Sequence, residues 1–170
     1  MKISIRLLFF AISTFFSISN GAAQSTPGAS FSITINTFQS NVKTGSEIRI
    51  TILLKNVSDH EIEIPRTLGE NRGDSFHTLE VRDNRGNVTP KTQLRREIEE
   101  HGTANGQIVF QGGSVFTQVL KPTETIREGI VVTNIFDLTK PGKYTIQCQR
   151  FDEESKTIVK SNMITVTVTP

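Results

Sequence analysis

The chain has 170 residues, of which 35% are hydrophobic and 21% are charged, with one Cys, one Tyr and no Trp. This length predicts a single domain, and this composition excludes a collagen, a disulfide scaffold and a low-complexity tail. A formal net charge of +2 is not the signature of a nucleic-acid-binding protein, so we expect no nucleic-acid partner.

Residues 1–23 have the three parts of a secretory signal peptide. Lys2 and Arg6 form a positive amino-terminal region, an apolar run covers Leu7–Ile18, and small residues lead to a cleavage site after Ala23. The apolar run is shorter than the roughly 20 residues that span a bilayer, which favours cleavage over an uncleaved anchor. We therefore expect an exported protein, periplasmic or secreted, with no membrane span in the mature chain.

Removal of this segment changes the charge balance. The full sequence has 19 Lys and Arg against 17 Asp and Glu, and the two excess bases, Lys2 and Arg6, both leave with the signal peptide. The mature chain is then neutral, and we expect little long-range steering toward anionic partners. Residues 24–30 are small and polar, which is typical of a flexible leader.

From residue 31 onward, apolar and polar residues alternate with the period of half-buried strands. Runs of this kind occupy residues 31–36, 48–54, 61–64, 78–82, 115–120, 126–132, 144–150 and 157–169. This number and spacing of short strands predicts an all-β fold, namely an antiparallel β-sandwich of about seven to nine strands.

Turn-forming residues separate the predicted strands. Asp83–Asn87, Asn105-Gly106 and Gly112-Gly113 are rich in residues that tolerate positive φ. Proline cannot donate to a ladder hydrogen bond, so we expect the prolines of this region between strands. These are Pro65, Pro90, Pro122 and Pro141.

Only Thr92–Glu100 has a helical pattern. Leu94 and Ile98 are four residues apart, and Arg95 is placed to pair with Glu99 across one turn. The segment predicts at most one short helix of one or two turns, with a strand as the alternative.

The segment before the penultimate strand carries markers of a fold. Leu138, Pro141, Gly142 and Tyr144 form the pattern L-x-x-P-G-x-Y. Pro141-Gly142 predicts a turn, and Tyr144 opens the next strand at an inward position. This is typical of a tyrosine corner, in which the ring packs in the core and the hydroxyl bonds upstream backbone.

Together with a polar K-N-x-S-D pattern after the second strand, in which Lys55 precedes the turn Asn56–Asp59, these markers resemble bacterial extracytoplasmic immunoglobulin-like domains. The chain is also similar to the β-sandwich family that includes bacterial intracellular proteinase inhibitors. The resemblance implies an immunoglobulin-like sandwich over residues 31–170, and its markers concern architecture rather than activity. Two departures are the lack of paired inter-sheet cysteines and the signal peptide, which an intracellular inhibitor would not have.

Cys148 is the only thiol in the sequence. It shares strand parity with Tyr144 and Ile146, so we expect it to point into the core. A nucleophilic cysteine needs an exposed, electropositive setting and a histidine partner, whereas a buried free cysteine behaves as a small hydrophobic residue. Pairing with another chain is an alternative that the inward parity disfavours.

His60, His77 and His101 are the only histidines, and none has metal-binding spacing with two further ligands. We expect independent histidines at the surface or at loop edges, with no metal and no cofactor. The acidic clusters at residues 97–100 and 152–154 are interpreted as solvated turns, the second within a hairpin that joins the last two strands. No Ser-His-Asp nucleophile elbow, phosphate loop or dinucleotide fingerprint occurs in the sequence.

Three short segments of the sequence match known functional motifs. Arg72-Gly73-Asp74 matches an integrin-binding tripeptide, but matches of three residues are frequent by chance, so we interpret it as a turn. Asn56-Val57-Ser58 and Asn87-Val88-Thr89 match glycosylation acceptors.

The sequence thus predicts an exported, non-enzymatic immunoglobulin-like domain that acts by binding an unknown protein, with its oligomeric state open. The expected contact surfaces are the loops Pro65–Phe76 and Glu99–Gly113 or an edge strand. A proteinase inhibitor is the alternative that the resemblance implies. A metal-binding or enzymatic accessory domain is another, and it requires at least one of the three histidines to converge with a carboxylate.

Overall fold

The computed structural model describes residues 26–67, 76–101, 103–104, 107–108 and 115–170. The strands are β1 (Phe31–Asn36), β2 (Asn41–Lys43), β3 (Arg49–Asn56), β4 (Ile62–Thr67), β5 (Thr78–Asp83), β6 (Thr103–Ala104), β7 (Gln107–Ile108), β8 (Val115–Leu120), β9 (Thr125–Val131), β10 (Gly142–Asp152) and β11 (Thr157–Thr169). One helix, α1 (Gln93–His101), follows β5, and a 3-10 turn at Val132–Asn134 follows β9. The predicted all-β fold with one short helix is confirmed.

Two sheets form the sandwich. The first has the order β1-β3-β9, and the second has the order β2-β11-β10-β5. All of these pairings are antiparallel except that of β2 with β11, which is parallel. The amino-terminal segment therefore divides between the sheets, with β1 in one and β2 in the other. The arrangement is an immunoglobulin-like sandwich.

Two further strand pairs flank these sheets. β4 pairs with β8, and β6 pairs with β7. β4 follows β3 through a polar turn, and β8 leads into β9 through another. The β4–β8 ribbon therefore follows the β3–β9 pair in the chain at both turns, as a separate two-stranded sheet.

Alternation along the strands builds the core. In β3, the side chains of Ile50, Ile52 and Leu54 are at most 1% exposed, and Ile146 and Val166 of the second sheet are fully buried. Burial of one such side chain contributes about 1.5–3 kcal/mol. The apolar positions predicted for β3 and β10 are the ones that face inward.

A bulge interrupts the pairing of β10 with β11. The register shifts opposite Cys148, so the consecutive residues Ser161 and Asn162 are both buried. The Asn162 amide accepts a hydrogen bond from the Ile35 N–H at 2.8 Å and donates to the Ile35 carbonyl at 3.0 Å. The bulge thereby places a polar side chain that ties the second sheet to β1, and it shifts the phase of the alternation along β11.

Pro65 does not lie between strands as predicted, because it is part of β4, opposite Thr117 of β8. In the part of the chain that the structure describes, β4 has no second strand partner. An edge position requires no ladder donor, which is why proline is tolerated there. Pro90, Pro122 and Pro141 lie outside strands.

The helix is longer than the one or two turns predicted, since α1 has nine residues, or about two and a half turns. The Arg95 N–H donates to the Thr92 hydroxyl at 3.2 Å, which caps the first turn, and Arg95 Nε lies 2.8 Å from Glu99. The acidic residues at 97–100 belong to this helix and not to a turn. The strand alternative was wrong.

Residues 1–25, 68–75, 102, 105–106 and 109–114 lie outside the described ranges, so the predicted signal peptide and most of the predicted contact loops Pro65–Phe76 and Glu99–Gly113 fall outside them. Among the residues that are described, no helix has the length and apolar character needed to cross a membrane.

Candidate functional site

Polar residues occupy inward positions on two strands that face each other. On β9, Glu128 lies between the buried residues Ile126 and Ile130. On β10, Arg150 follows Cys148 at the next inward position. Charged side chains on the inner face of a sandwich are unfavourable unless they are paired and hydrogen-bonded, so their partners determine what this region can do.

Glu128 accepts hydrogen bonds from two cationic or potentially cationic groups. Its Oε1 lies 2.6 Å from Arg66 Nε, and its Oε2 lies 2.6 Å from His77 Nε2. The side chain of His77 is fully buried, and that of Glu128 is 11% exposed. We call Arg66, His77, Glu128, Cys148 and Arg150 the Glu128 cluster.

The electrostatics of Glu128 follow from this pairing. Burial is the largest single influence and raises the pKa of the carboxyl group, but the hydrogen bond and charge of His77, together with those of Arg66, outweigh it. The net result is a pKa below the ordinary value. Glu128 is therefore an anion at neutral pH, and it is held by groups from β4 and from the residue before β5.

Cys148 completes an array of a thiol, an imidazole and a carboxylate. Its Sγ lies 3.5 Å from His77 Nδ1, while the other nitrogen of that ring bonds Glu128. The thiol is fully buried, and burial, followed by the negative charge of Glu128, raises the pKa of Cys148 to about 12. A nucleophilic cysteine has the opposite setting, with a lowered pKa and access to solvent.

The two arginines stack on aromatic rings. The Arg66 guanidinium lies 5.6 Å from the centroid of the Phe116 ring, and its Nη1 donates to the Gln118 side chain at 2.5 Å. The Arg150 guanidinium lies 5.2 Å from the centroid of the Phe76 ring. Both stackings are of the cation–π kind. The first lies within the β4–β8 ribbon, where Arg66 and Phe116 are register partners, and the second joins the residue Phe76 before β5 to β10.

Arg150 is only partly satisfied. Its Nη2 donates to the Pro65 carbonyl of β4 at 2.6 Å, whereas its Nη1 is buried and has no hydrogen-bond partner within the described ranges. Burial lowers the pKa of Arg150, and the negative charge of Glu128 partly restores it. An unsatisfied buried donor is unfavourable and calls for a specific explanation.

A second feature is a groove of about 300 Å³ between β4 and the β10–β11 hairpin. It is lined by Ser30, Phe31, Glu61, Ile62, Glu63, Ile64, Pro65, Arg150, Phe151, Asp152, Glu153 and Glu154. We call it the acidic groove, because its lining contains five carboxylates and a single basic side chain.

His60 bridges the two sides of the acidic groove at the surface. Its Nδ1 lies 2.9 Å from Asp59, and its Nε2 lies 2.7 Å from Glu154. The hydrogen bonds to Asp59 and Glu154 raise the pKa of His60, and the hydrogen bond to His60 lowers the pKa of Asp59. Both groups are solvent-exposed, so we attribute little stability to this contact.

Asp152 anchors the end of the predicted leader. Its carboxylate accepts hydrogen bonds from the Ser30 N–H at 2.7 Å and from the Ser30 hydroxyl at 2.9 Å, and also from Ser155. Burial raises the pKa of Asp152, but these hydrogen bonds more than offset it, so the net shift is downward. Asp152 therefore has a structural role in the turn after β10. The expectation of a solvated acid was wrong for this residue.

The predicted marker residues lie near the start of β10. The Tyr144 hydroxyl donates to the Lys140 carbonyl at 2.8 Å, and the ring is buried, which is the geometry of a tyrosine corner. Leu138 is buried beside it, Pro141 is exposed, and Gly142 begins β10.

The expectation of independent surface histidines was wrong for His77, which is buried at the centre of the Glu128 cluster. His60 is at the surface but is bridged to two carboxylates. The side chain of His101 lies outside the described part of the structure. Within that part, no group of three or more His, Cys, Asp or Glu side chains is arranged to hold a metal ion.

The two glycosylation-acceptor motifs differ in the exposure of their asparagines. Asn56 is fully buried, and its amide donates to the carbonyls of His60 and Leu120, so this acceptor motif is occupied by a structural residue. Asn87 is exposed in the turn after β5. Arg72-Gly73-Asp74 lies outside the described residues.

Parity along the strands is the signal that could have revealed the Glu128 cluster. Glu128 alternates with Ile126 and Ile130, and His77 precedes Leu79 and Val81 at the same spacing. In each case a charged or titratable residue occupies a position that the alternation assigns to the core.

No family profile and no curated protein matches the sequence. Among solved structures, the chain is similar to the CARDB domain of a Pyrococcus furiosus protein in complex with di-metal ions, with 13% identity, a TM-score of 0.39, and coverage of 85% of this chain and 97% of that one. A β-glucosidase from Listeria innocua in complex with glucose is 10% identical, with a TM-score of 0.42. A β-glucosidase from Erythrobacter marinus is 12% identical, with a TM-score of 0.41.

The matches to the two glucosidases cover 84% and 83% of this chain but 16% of either enzyme. At these identities and TM-scores, neither the metal ions nor the glucosidase activity transfers to this chain.

Proposed function

We propose that the chain is an exported, non-enzymatic immunoglobulin-like domain that acts by binding another protein. The non-enzymatic part of this proposal is supported by the burial of the thiol, imidazole and carboxylate of Cys148, His77 and Glu128. Burial raises the pKa of the Cys148 thiol to about 12, so the thiol is neutral at pH 7. Both nitrogens of the His77 ring are engaged within the interior, so this ring has no free position from which to serve a substrate.

Export is supported by the pattern of residues 1–23, in which a basic start precedes an apolar run and a small-residue cleavage site. The neutral charge of the remaining chain is compatible with a freely diffusing domain. If the pattern acts as expected, the mature protein begins at Gln24.

Interaction with a protein is supported by apolar side chains on the outer face of the second sheet. Phe151 of β10 pairs with Ile158 of β11, and the two residues are 47% and 53% exposed. Met163, farther along β11, is 66% exposed. Clustered exposed apolar residues on a soluble domain commonly mark a contact surface.

Cross-linking in intact cells tests this proposal. The full chain with a carboxyl-terminal affinity tag is treated with an amine-reactive cross-linker, recovered, and analysed by mass spectrometry, and a chain lacking residues 2–23 serves as the control. We expect the exported protein to begin at Gln24 and to form an adduct of defined mass that the control does not form. An intact amino terminus would contradict export, and the lack of any specific adduct would contradict the binding role.

A further inference from the structure

Each sheet of the sandwich ends in edge strands, whose unpaired N–H and C=O groups can bond another strand. In the described part of the chain, most of these edges are protected. β9 contains the inward charge of Glu128, and the Ile35 backbone of β1 bonds the Asn162 side chain. In β5 the Val81 carbonyl accepts from the Thr89 N–H at 2.8 Å, and β2, β6 and β7 have at most three residues each.

The β4–β8 ribbon is protected along β4 but not along β8. On β4, Glu63 and Pro65 are the charge and the proline that natural edge strands commonly carry. β8 has the sequence VFTQVL, with neither a charge nor a proline, and its pairing with β4 has no register shift. β8 therefore lacks the charge, the proline and the bulge that commonly prevent pairing with another strand.

The direction of the β8 backbone follows from Pro65 of β4. A residue in an antiparallel strand directs its N–H and its C=O to the same side. Pro65 has no N–H, and its carbonyl accepts from Arg150 Nη2 at 2.6 Å, so its backbone points away from β8. Its register partner Thr117 therefore belongs to a pair that is not hydrogen-bonded, and the same holds two residues away for Val115 and Val119.

The backbone groups of these three β8 residues consequently point away from β4, and we call them the β8 edge. Within the described ranges, the backbone of Val115, Thr117 and Val119 has no hydrogen-bond partner beyond β4. The side chains beside these groups are also accessible, since Val115 is 62% exposed, Val119 is 49% exposed, and Thr117 is exposed between them. The β8 edge is thus an uncharged strand surface with free donors and acceptors.

The ribbon that carries the β8 edge is fixed to the sandwich. Arg66 of β4 bonds both Gln118 of β8 and Glu128 of β9, and Leu120 at the end of β8 is fully buried. The strand is therefore held in an extended conformation before any ligand binds, which lowers the cost of ordering on binding.

The occupant that fits these groups is an extended segment of another protein. A row of backbone N–H and C=O groups is satisfied by an added strand, and exposed valines favour β-branched neighbours across the ladder. Glu63 lies opposite Val119 on the exposed face, so an acidic residue on the segment would be repelled. A ladder along six residues is small beside the roughly 1,200 Å² of a stable interface between folded proteins, which disfavours a permanent dimer of this chain.

We infer that the β8 edge binds an extended, β-branched segment without acidic residues, which adds to the β4–β8 ribbon as a third strand. Backbone hydrogen bonds with Val115, Thr117 and Val119 hold the segment, and the two exposed valines select its side chains. The inference rests on the proposed function and names the kind of partner that this function needs.

The probe is a blocked, fluorophore-labelled octapeptide in which six alternating valine and threonine residues lie between two terminal lysines. It is titrated with protein purified from expression of the full chain. Two further versions carry backbone N-methyl groups, one on the valines and one on the threonines, because only one of these sets of amides faces β8 in an added strand. We expect one version to bind about tenfold or more weakly than the other. Equal binding of the two versions would show attraction to side chains alone and would overturn the inference.

Two variants of the protein alter the β8 edge itself. Thr117→Pro removes an outward N–H at a position where the ladder with β4 needs no donor, and its ring blocks the edge. Val115→Lys/Val119→Lys leaves the backbone intact and adds charge to the exposed face. Val57→Lys/Val88→Lys is the matched control, because these valines are 52% and 61% exposed outside the named strands. Thermal unfolding verifies that each variant is folded.

We expect both β8 variants to weaken peptide binding about tenfold or more and the control variant to weaken it less than about twofold. Equal weakening by the control variant, or a lack of saturable binding at millimolar protein, would overturn the inference. Sedimentation equilibrium tests the other occupant. Dimers of the unmodified protein that Thr117→Pro abolishes would show that a second copy covers the edge, and they would overturn the inference as well.

Cross-linking of the Thr117→Pro variant in cells separates this inference from the proposed function. If the unmodified protein and the variant form the same adduct equally, the partner binds elsewhere and the inference about the β8 edge fails alone. If neither protein forms an adduct while the peptide binds as expected, the proposed function fails and strand addition at β8 stands.

Discussion

The carboxylate of Glu128 and the imidazole of His77 are 2.6 Å apart and join the two sheets at one side of the sandwich. Glu128 belongs to β9, an edge strand of the first sheet, and His77 directly precedes β5, an edge strand of the second. Arg66 of the β4–β8 ribbon bonds the same carboxylate. A charged cluster thus holds three parts of the fold together where apolar packing alone would otherwise do so.

Removal of the Glu128 carboxylate should be strongly destabilising. Glu128→Ala leaves Arg66 and His77 without their acceptor, and loss of one partner of a buried ion pair costs about 3–5 kcal/mol. Since Arg66 retains some exposure, we expect a value near the lower end, measured as the free energy of unfolding in urea. Glu124→Ala, in the turn before β9, is the control, and a loss below about 1 kcal/mol for Glu128→Ala would contradict the role of the cluster.

The same carboxylate should make stability depend on acidity. The pKa of Glu128 is lower in the folded protein than its ordinary value of 4.5, so the unfolded chain binds the proton more readily. Its contribution is therefore fully present above pH 4.5 and is lost as the pH falls through the lowered value. Urea unfolding from about pH 6 to about pH 3 should show a steeper loss for the unmodified protein than for Glu128→Gln. Parallel curves would exclude Glu128 as a source of this dependence.

Two substitutions of Tyr144 separate the contribution of its hydroxyl group to stability from that of its ring. Tyr144→Phe loses only the hydrogen bond to the Lys140 carbonyl, which is 2.8 Å long, and should cost about 1 kcal/mol. Tyr144→Ala also removes the buried ring and should cost about 3–5 kcal/mol. Thermal unfolding of both variants measures the difference, and equal losses would mean that the hydroxyl bond dominates the corner.

Asn56 should be essential for the turn between β3 and β4. Its amide donates to the carbonyls of His60 and Leu120, and its oxygen accepts from the backbone and hydroxyl of Ser58. Asn56→Ala leaves buried acceptors unsatisfied and should cost about 2 kcal/mol or more. Asn87→Ala, in the exposed turn after β5, is the matched control, and similar losses for the two variants would contradict this account.

The strands could be predicted from the sequence because their signal is local. The alternation in Phe31–Asn36, Val115–Leu120 and Thr157–Thr169 defines strands whose bounds agree with the structure. The Arg95–Glu99 ion pair of α1 was predicted, but the length of the helix was underestimated, because the cap by the Thr92 hydroxyl stabilises the first turn beyond what the apolar spacing suggests.

The site could be predicted much less completely. His77, Glu128 and Cys148 are far apart in sequence, and only the pairing of β5 with β10 and the packing of β9 against them bring the three together. The inward parity of Glu128 was visible in the sequence, but its partners were not. The acidic groove likewise forms where β4 meets the β10–β11 turn, so it depends on a tertiary contact that no local pattern encodes.

The central claim is that Cys148 and His77, the only thiol–imidazole pair of the described structure, are closed to solvent and have a structural role. Native labelling of Cys148 with a thiol-specific reagent, followed by mass spectrometry, tests this claim most directly. We expect essentially no labelling of the folded protein near neutral pH and complete labelling in denaturant, because the thiol is fully buried and its pKa is about 12. Labelling of the folded protein as rapid as that of the unfolded chain would show an accessible, ionised thiol and would contradict the account.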